Sequence, residues 1–185
     1  KKLRINSFNV FSTSRKVENN NLYLDLIDDP KNWPKIKKNI DVAIICAGIT
    51  SVKECKYNDY SYKINVLSTI ELIENLVKND IFVLFISSSQ VFDGDIPLYP
   101  RENSFNPVSI YGYQKSLVEN YIKKNFVNKS ILRISKIISK EFIFFNLLDK
   151  KLRNNEKLNV FKNYFLSPVS IDMACKIILD IVNYK

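Results

Sequence analysis

The sequence contains no histidine, and only three cysteines and three glycines among its 185 residues. Without imidazole, a zinc site would have to be assembled from carboxylates and scattered thiols, so no metal centre is expected. Cys46, Cys55 and Cys175 are odd in number and match neither a disulfide framework nor a CxxC spacing, which points to a reducing, cytoplasmic setting. Gly48, Gly94 and Gly112 stand far apart, and no GxxGxxG turn able to cradle a pyrophosphate can be drawn from them. Long apolar runs are missing as well. The best one, Phe142 to Leu148, is broken by Asn146 and followed at once by charge, well short of a bilayer span, and no signal peptide is read ahead of the first strand.

What remains is ordinary globular material: 46% hydrophobic and 25% charged residues, in a length suited to one domain with one core. The formal charge of +9 comes from dispersed lysines in a chain rich in Lys, Asn and Ile. No arginine-rich or aromatic-interleaved tract is present, so neither nucleic acid nor a membrane surface is expected as partner. The excess suits an anionic small molecule without identifying one.

Apolar, β-rich runs alternate with segments of helical period, the pattern of a parallel sheet flanked by helices. Asn9 to Ser14 and Leu22 to Leu26 read as short strands, and Asp28-Asp29-Pro30 opens a short helix. Asp41 to Ala47 and Ile81 to Ser87 are continuous apolar runs, as central strands covered on both faces require. Between them, Asp59 to Lys78 predicts one long crossover helix. A helix from Pro107 to Lys124 follows, then a strand Ile131 to Ile134, a helix Glu141 to Asn154, a short strand near Val160 and a terminal helix Ile171 to Val182.

Tyr111-Gly-Tyr-Gln-Lys115 places a phenol and an ammonium one helical turn apart on one face. A phenol ionises near pH ~10, and an adjacent lysine cation would lower that value enough for acid/base work. YxxxK alone is a weak pattern. Its context strengthens it: Ser87-Ser88-Ser89 ends the apolar strand, where open α/β sheets place their ligand crevice, and a hydroxyl there can bond a substrate carbonyl while Tyr111 transfers a proton.

With these residues in view, the chain resembles the extended short-chain dehydrogenases/reductases. SSSQVFDG (Ser87 to Gly94), Glu102, Pro107 and YGYQK (Tyr111 to Lys115) follow that family's order and spacing. Cys46-Ala47-Gly48 with Thr50 is similar to its turn after the fourth strand, Lys63-Ile64-Asn65-Val66 to its helical Asn position and Leu132-Arg133 to its "LR" strand. Leu166 to Val169, with Asp172 and Ala174, is similar to its C-terminal motif. Within the family the closest look is to dTDP-4-dehydrorhamnose reductases and related sugar-nucleotide reductases.

The resemblance implies a Rossmann-like, doubly wound α/β fold over 1–185, with residues from about 136 onward contributing to the substrate side. It implies Ser88, Tyr111 and Lys115 as catalytic residues acting on a nucleotide-diphosphate sugar, and NADP as cofactor with NAD as the alternative. Ser14 and Arg15 would face the 2′-phosphate, although a merely basic loop reads the same way. Asp25 and Leu26 would meet the adenine, and Cys46, Ala47, Gly48, Asn65, Ser87, Tyr111 and Lys115 would line the rest of the cofactor site. Ser89 and Gln90 stand where the family's dehydratases carry an Asp-Glu pair, which disfavours dehydration.

A 4-epimerase, and a non-catalytic regulatory subunit of the kind that serves methionine adenosyltransferase, remain as alternatives. A homodimer through the helices Asp59 to Lys78 and Pro107 to Lys124 is implied by analogy alone. Because the family begins with a strand and a Gly-rich turn, Lys1 to Ile5 is read as the tail of the following helix. An additional strand is expected ahead of it, and without that strand the sheet would fall into two halves. The C-terminal end is likewise read as early.

Overall fold

The computed structural model describes residues 3, 8–16, 21–36, 39–96, 99–100, 104–139, 143–157, 159 and 167–185. The readings at Lys1–Ile5 (apart from Leu3), Glu102, Glu141, Val160 and Leu166 lie outside the described residues. The chain divides into two compact units, Lys1–Arg133 with Lys185, and Ile134–Tyr184.

Three sheets are present among the described residues. Strands β1 (Thr13–Ser14) and β2 (Leu22–Tyr23) form a parallel pair. Strands β3 (Val42–Ile45), β4 (Phe82–Ser88) and β5 (Lys129–Ile134) form a sheet in that order, with β3 parallel to β4 from Val42↔Phe82 to Ile45↔Phe85. Strands β6 (Ile137–Ile138) and β7 (Val169–Ser170) form a second parallel pair, in the Ile134–Tyr184 unit. Among the described residues no ladder joins β1–β2 to β3–β4–β5.

The apolar runs behave as their composition requires. Val83, Leu84 and Phe85 of β4 are each 0% exposed, and consecutive strand side chains point to opposite faces, so both faces of β4 are covered. On one face Ile45, Val83 and Phe85 pack with Ile73 and Leu76, and with Val118 and Ile122, to form the core. The outer strands are shorter than their sequence suggests. Asp25 accepts from the Ile27 N–H at 3.1 Å, and this side-chain-closed turn ends β2 after Tyr23 instead of at Leu26. The helix expected after Asp29 is a single 3₁₀ turn, Pro30–Asn32, capped by Asp29 on the Lys31 N–H at 2.9 Å.

Helix α1 (Val52–Tyr57) was not expected. Ser51 caps it by accepting from the Glu54 N–H at 3.2 Å, and only Cys55 is buried, so it carries no apolar stripe to betray it. The long crossover helix is also not uniform. It runs as α2 (Tyr60–Tyr62), a π-helical segment Lys63–Ser68 and α3 (Thr69–Val77). Thr69 Oγ1 bonds back to the Ile64 carbonyl at 2.8 Å inside the widened turn. The segment buries Ile64, Asn65, Val66 and Ser68, where polar residues at Asn65 and Ser68 break the simple apolar period. Helices α5 (Ile143–Arg153) and α6 (Ile171–Asn183) belong to the smaller unit.

Helix α4 (Ile110–Asn125) begins three residues beyond Pro107 because Ser109 is its cap, accepting from the Gly112 N–H at 3.0 Å. Ser109 also donates to Gln90 Oε1 at 2.9 Å, pressing the first turn of α4 against the 3₁₀ turn Ser89–Val91 that follows β4. The approach is so close that a Cβ on Gly112 would lie 1.9 Å from the Gln90 carbonyl oxygen. Farther along α4, Glu119 is fully buried and takes Arg133 of β5 through Nε at 3.0 Å and Nη2 at 2.7 Å, with Lys123 Nζ at 3.5 Å. The Arg133 guanidinium lies over Phe92 at 5.0 Å and Phe105 at 5.3 Å, so one ion pair joins α4, β5 and the loop beyond β4.

Two stability outcomes follow from this packing. Gly112→Ala meets backbone that cannot rotate away and should cost about 3 kcal/mol or more in urea unfolding; a loss under ~0.5 kcal/mol would show that the approach is not rigid. Glu119→Ala strands a part-buried guanidinium and should cost about 3–5 kcal/mol, whereas replacing Glu119 and Arg133 together by apolar residues should recover much of it.

Candidate active site

Strand β4 runs past the end of β3, whose last pair is Ile45↔Phe85, and its final residues form one rim with the first two turns of α4. Ser88 is the last residue of β4 and is buried, and its Oγ accepts from the Gln90 N–H at 3.2 Å. Tyr111 and Lys115 are buried on the facing side of α4. The Lys115 ammonium donates to the Ile86 carbonyl at 2.9 Å, lies 4.5 Å above the Phe85 ring and is 5.9 Å from the centre of the Tyr111 ring.

The electrostatics differ from the simple expectation of a lysine lowering a neighbouring phenol. Burial pushes the Tyr111 phenol above its usual value, the Ser88 hydroxyl pulls it back by hydrogen bonding, and the Cys55 thiol adds a small upward push. Lys115 carries the larger change. Desolvation pulls its ammonium down to about 8, against smaller upward contributions from Cys46, Glu119 and Cys55. In this arrangement Tyr111 is held as the neutral phenol and Lys115 is poised near neutrality.

The loop after β3 completes the rim. Cys46 is exposed as a residue, yet its neighbours desolvate the thiol enough to raise its pKa while the Lys115 cation draws it down. Gly48 sits at φ +146°, and a Cβ there would stand 3.0 Å from Asn65 Oδ1. Asn65, from the π-helical segment, grips the next residue at both ends, accepting from the Ile49 N–H at 2.7 Å and donating to the Ile49 carbonyl at 2.9 Å. Ser87 contributes a buried hydroxyl that has no hydrogen-bond partner among the described residues.

Ser14 ends β1 and Arg15 follows it, while Asp25 and Leu26 lie in the turn beyond β2. Ser14 accepts from the Lys16 N–H at 3.0 Å, Arg15 is exposed, the Asp25 backbone carbonyl accepts from Trp33 Nε1 at 3.0 Å, and Leu26 is buried. Lys63 at the start of the π-segment donates to the Ile27 carbonyl, which links the turn after β2 to the helix that carries Asn65. Missed in the sequence was Gln114, between the two residues of the YxxxK pair and 1% exposed. A polar residue at that position of a buried helix face was the available signal.

A nicotinamide nucleotide fits these residues. Ser87 offers a buried hydroxyl needing a partner, Gly48 is exposed, and Ile86 takes one of the three protons of the Lys115 ammonium. Lys115, Ser87 and the Cys46–Gly48 loop would hold it. Among the described residues no group of three or more His, Cys, Asp or Glu could hold a metal ion, and no helix is long and apolar enough to cross a membrane.

Over 137 residues the chain is 29% identical to a dTDP-4-dehydrorhamnose reductase of Sinorhizobium fredii, covering 71% of this chain and 46% of that protein. It is 32% identical over 109 residues to D-erythronate dehydrogenase of Haemophilus influenzae, covering 55% and 35%. Over 76 residues it is 33% identical to methionine adenosyltransferase 2 subunit beta of Bos taurus, covering 41% and 23%. The chain thus spans less than half the length of each of these relatives.

Among solved structures, a hypothetical dTDP-4-dehydrorhamnose reductase from Sulfolobus tokodaii superposes with a TM-score of 0.80 at 26% identity, over 98% of this chain and 67% of that one. The dTDP-4-dehydrorhamnose reductase of Bacillus anthracis, solved in complex with NADP, gives 0.70 at 24% identity, over 77% and 52%. The fold is accordingly the Rossmann-like α/β fold of these neighbours. A family model described as the RmlD substrate binding domain matches residues 2–185, and the chain belongs to that family.

Proposed function

We propose that this chain carries the cofactor and proton-transfer site of an NADP-linked reductase of a nucleotide-diphospho-keto sugar, similar in reaction to dTDP-4-dehydrorhamnose reductase and serving surface polysaccharide or nucleotide-sugar synthesis. The observation that carries the reading is the convergence of Ser88, Tyr111 and Lys115 on one rim beyond β4. Residues 1–185 are read as one cofactor-binding domain, those from about 136 onward contributing to the substrate side. NADP is preferred over NAD because Ser14 and Arg15 offer a hydroxyl and a guanidinium to a 2′-phosphate and no carboxylate to ribose hydroxyls.

A nicotinamide, when bound, would supply the hydride for the carbonyl carbon of the sugar. Tyr111 Oη gives its proton to the carbonyl oxygen, so that C=O becomes CH–OH and the tyrosine is left as phenolate. Burial keeps Tyr111 protonated beforehand, which is the state a reduction needs. Ser88 Oγ accepts from the Gln90 N–H and its hydroxyl bonds the Tyr111 phenol, so a carbonyl oxygen seated between the two would take up the Ser88 proton as a hydrogen bond that steadies its developing charge. Lys115 stabilises the phenolate until solvent reprotonates it, and would donate to the ribose of a bound cofactor. Pairing of two copies through the Asp59–Lys78 helix and α4 belongs to the same reading, with Leu67 exposed on the π-segment and Ile110 and Tyr113 exposed on α4.

In the full-length protein, Tyr111→Phe should lower kcat for NADPH-dependent reduction of a dTDP-4-keto sugar by about 10²–10⁴ while leaving cofactor affinity and melting temperature nearly unchanged. Activity equal to wild type would exclude Tyr111 as the acid. A second outcome concerns pH. The cofactor would bond the ammonium form of Lys115, whose pKa in the free protein is about 8. The NADPH Kd, measured by fluorescence titration, should therefore be flat below that pH and weaken above it by up to about tenfold per unit. In Lys115→Met the Kd should be weaker throughout and lose the inflection; an inflection that persists there belongs to another group.

A further inference from the structure

Between the rim and the core lies a closed polar chain that the reaction outlined above does not use. Ser61, Asn65 and Gln114 are exposed to only 1%, 3% and 1%, and they come from α2, the π-segment and α4 respectively. Asn65 Nδ2 donates to Gln114 Oε1 at 2.8 Å, Gln114 Nε2 donates to Ser61 Oγ at 2.9 Å, and Ser61 Oγ donates to the Cys55 carbonyl at 3.2 Å.

The direction of every bond in this chain is dictated from one end. Asn65 Oδ1 must accept, because it faces the Ile49 N–H, so its amide nitrogen must donate. Gln114 is therefore forced to present its oxygen to Asn65 and its nitrogen to Ser61, and the Ser61 hydroxyl is left to donate to Cys55. The network admits one arrangement, which fixes the spacing between α4 and the Gly48–Ile49 loop more narrowly than apolar contact would. Gln114 adjoins Lys115 and lies one turn from Tyr111, so whatever holds Gln114 sets the rotation and height of both.

We infer that Gln114 is a positioning residue: through Asn65 it locks the helix of Tyr111 and Lys115 to the Gly48–Ile49 loop, so that cofactor binding on the loop and proton transfer on the helix share one rigid frame. The inference rests on the proposed reductase reading for its effect on activity, and on geometry alone for the lock itself.

The test uses the full-length protein with Gln114→Met, which keeps the volume and removes both bonds. Val118→Ala on the same helix, in the apolar core and outside the site, serves as the control for general destabilisation. Without ligand, hydrogen exchange at Gly48–Ser51 should accelerate by about tenfold in Gln114→Met, beyond what its change in global stability accounts for. It should not do so in Val118→Ala. With ligand, Gln114→Met should weaken NADPH binding and lower kcat together, each by about tenfold.

Gln114→Glu gives the conservative rescue. Its neutral carboxyl reproduces both bonds at acidic pH, so its defect should grow as pH rises, whereas that of Gln114→Met should not change with pH. Unaltered exchange at Gly48–Ser51 in Gln114→Met overturns the lock, and so does a Gln114→Glu profile parallel to that of Gln114→Met. Should the wild-type protein bind neither NADPH nor NADH, the reductase reading falls and the exchange measurement still decides the lock.

Discussion

A buried ammonium is the constraint on which the rest of the site depends. Lys115 lies out of water, and its lowered basicity records the cost of that position. The Ile86 carbonyl and the Phe85 ring face offset the cost only while α4 stays seated over the end of β4. Tyr111 is one turn back on the same helix and Ser88 is two residues beyond Ile86 on the same strand. The phenol and the hydroxyl therefore meet as a consequence of where the ammonium finds its partner. Gly112 lets the helix come close enough for this, and the Glu119–Arg133 pair holds its far half against β5.

The parts of the molecule written in local pattern were legible in the sequence. The runs at Asp41–Ala47 and Ile81–Ser87 became β3 and β4 because such continuous apolar stretches have no stable place except between two covered faces. The Tyr111 and Lys115 spacing needed only a helix to become a shared face, and Ser109 supplied its cap. By contrast, α1 hides behind a Ser51 and Glu54 cap signal with no apolar stripe to follow it. The two-residue strands β6 and β7 pair across a long stretch of chain and have too little length for any period to register.

Electrostatics and the polar network were illegible for a different reason. The sequence places Lys115 beside Tyr111, but it cannot weigh the loss of water against that proximity, and desolvation proved to be the larger influence on both groups. Gln114 is one amide among several in α4, and its meaning comes from Ser61 and Asn65, 53 and 49 residues away in the chain. Interactions at that range are properties of the assembled helices. A reader of one segment at a time has no access to them.

The π-helical stretch has a consequence for how the sequence can change. A π-turn is an α-helix with one surplus residue, so the chain on either side is out of phase by roughly 100° relative to an uninterrupted helix. Tyr60–Tyr62 and Thr69–Val77 each present the correct side to their neighbours only because Lys63–Ser68 absorbs that offset. Single substitutions along this stretch can be accommodated one at a time. A one-residue deletion would instead swing Asn65 away from Ile49, so the length of this segment matters more to the site than most of its letters.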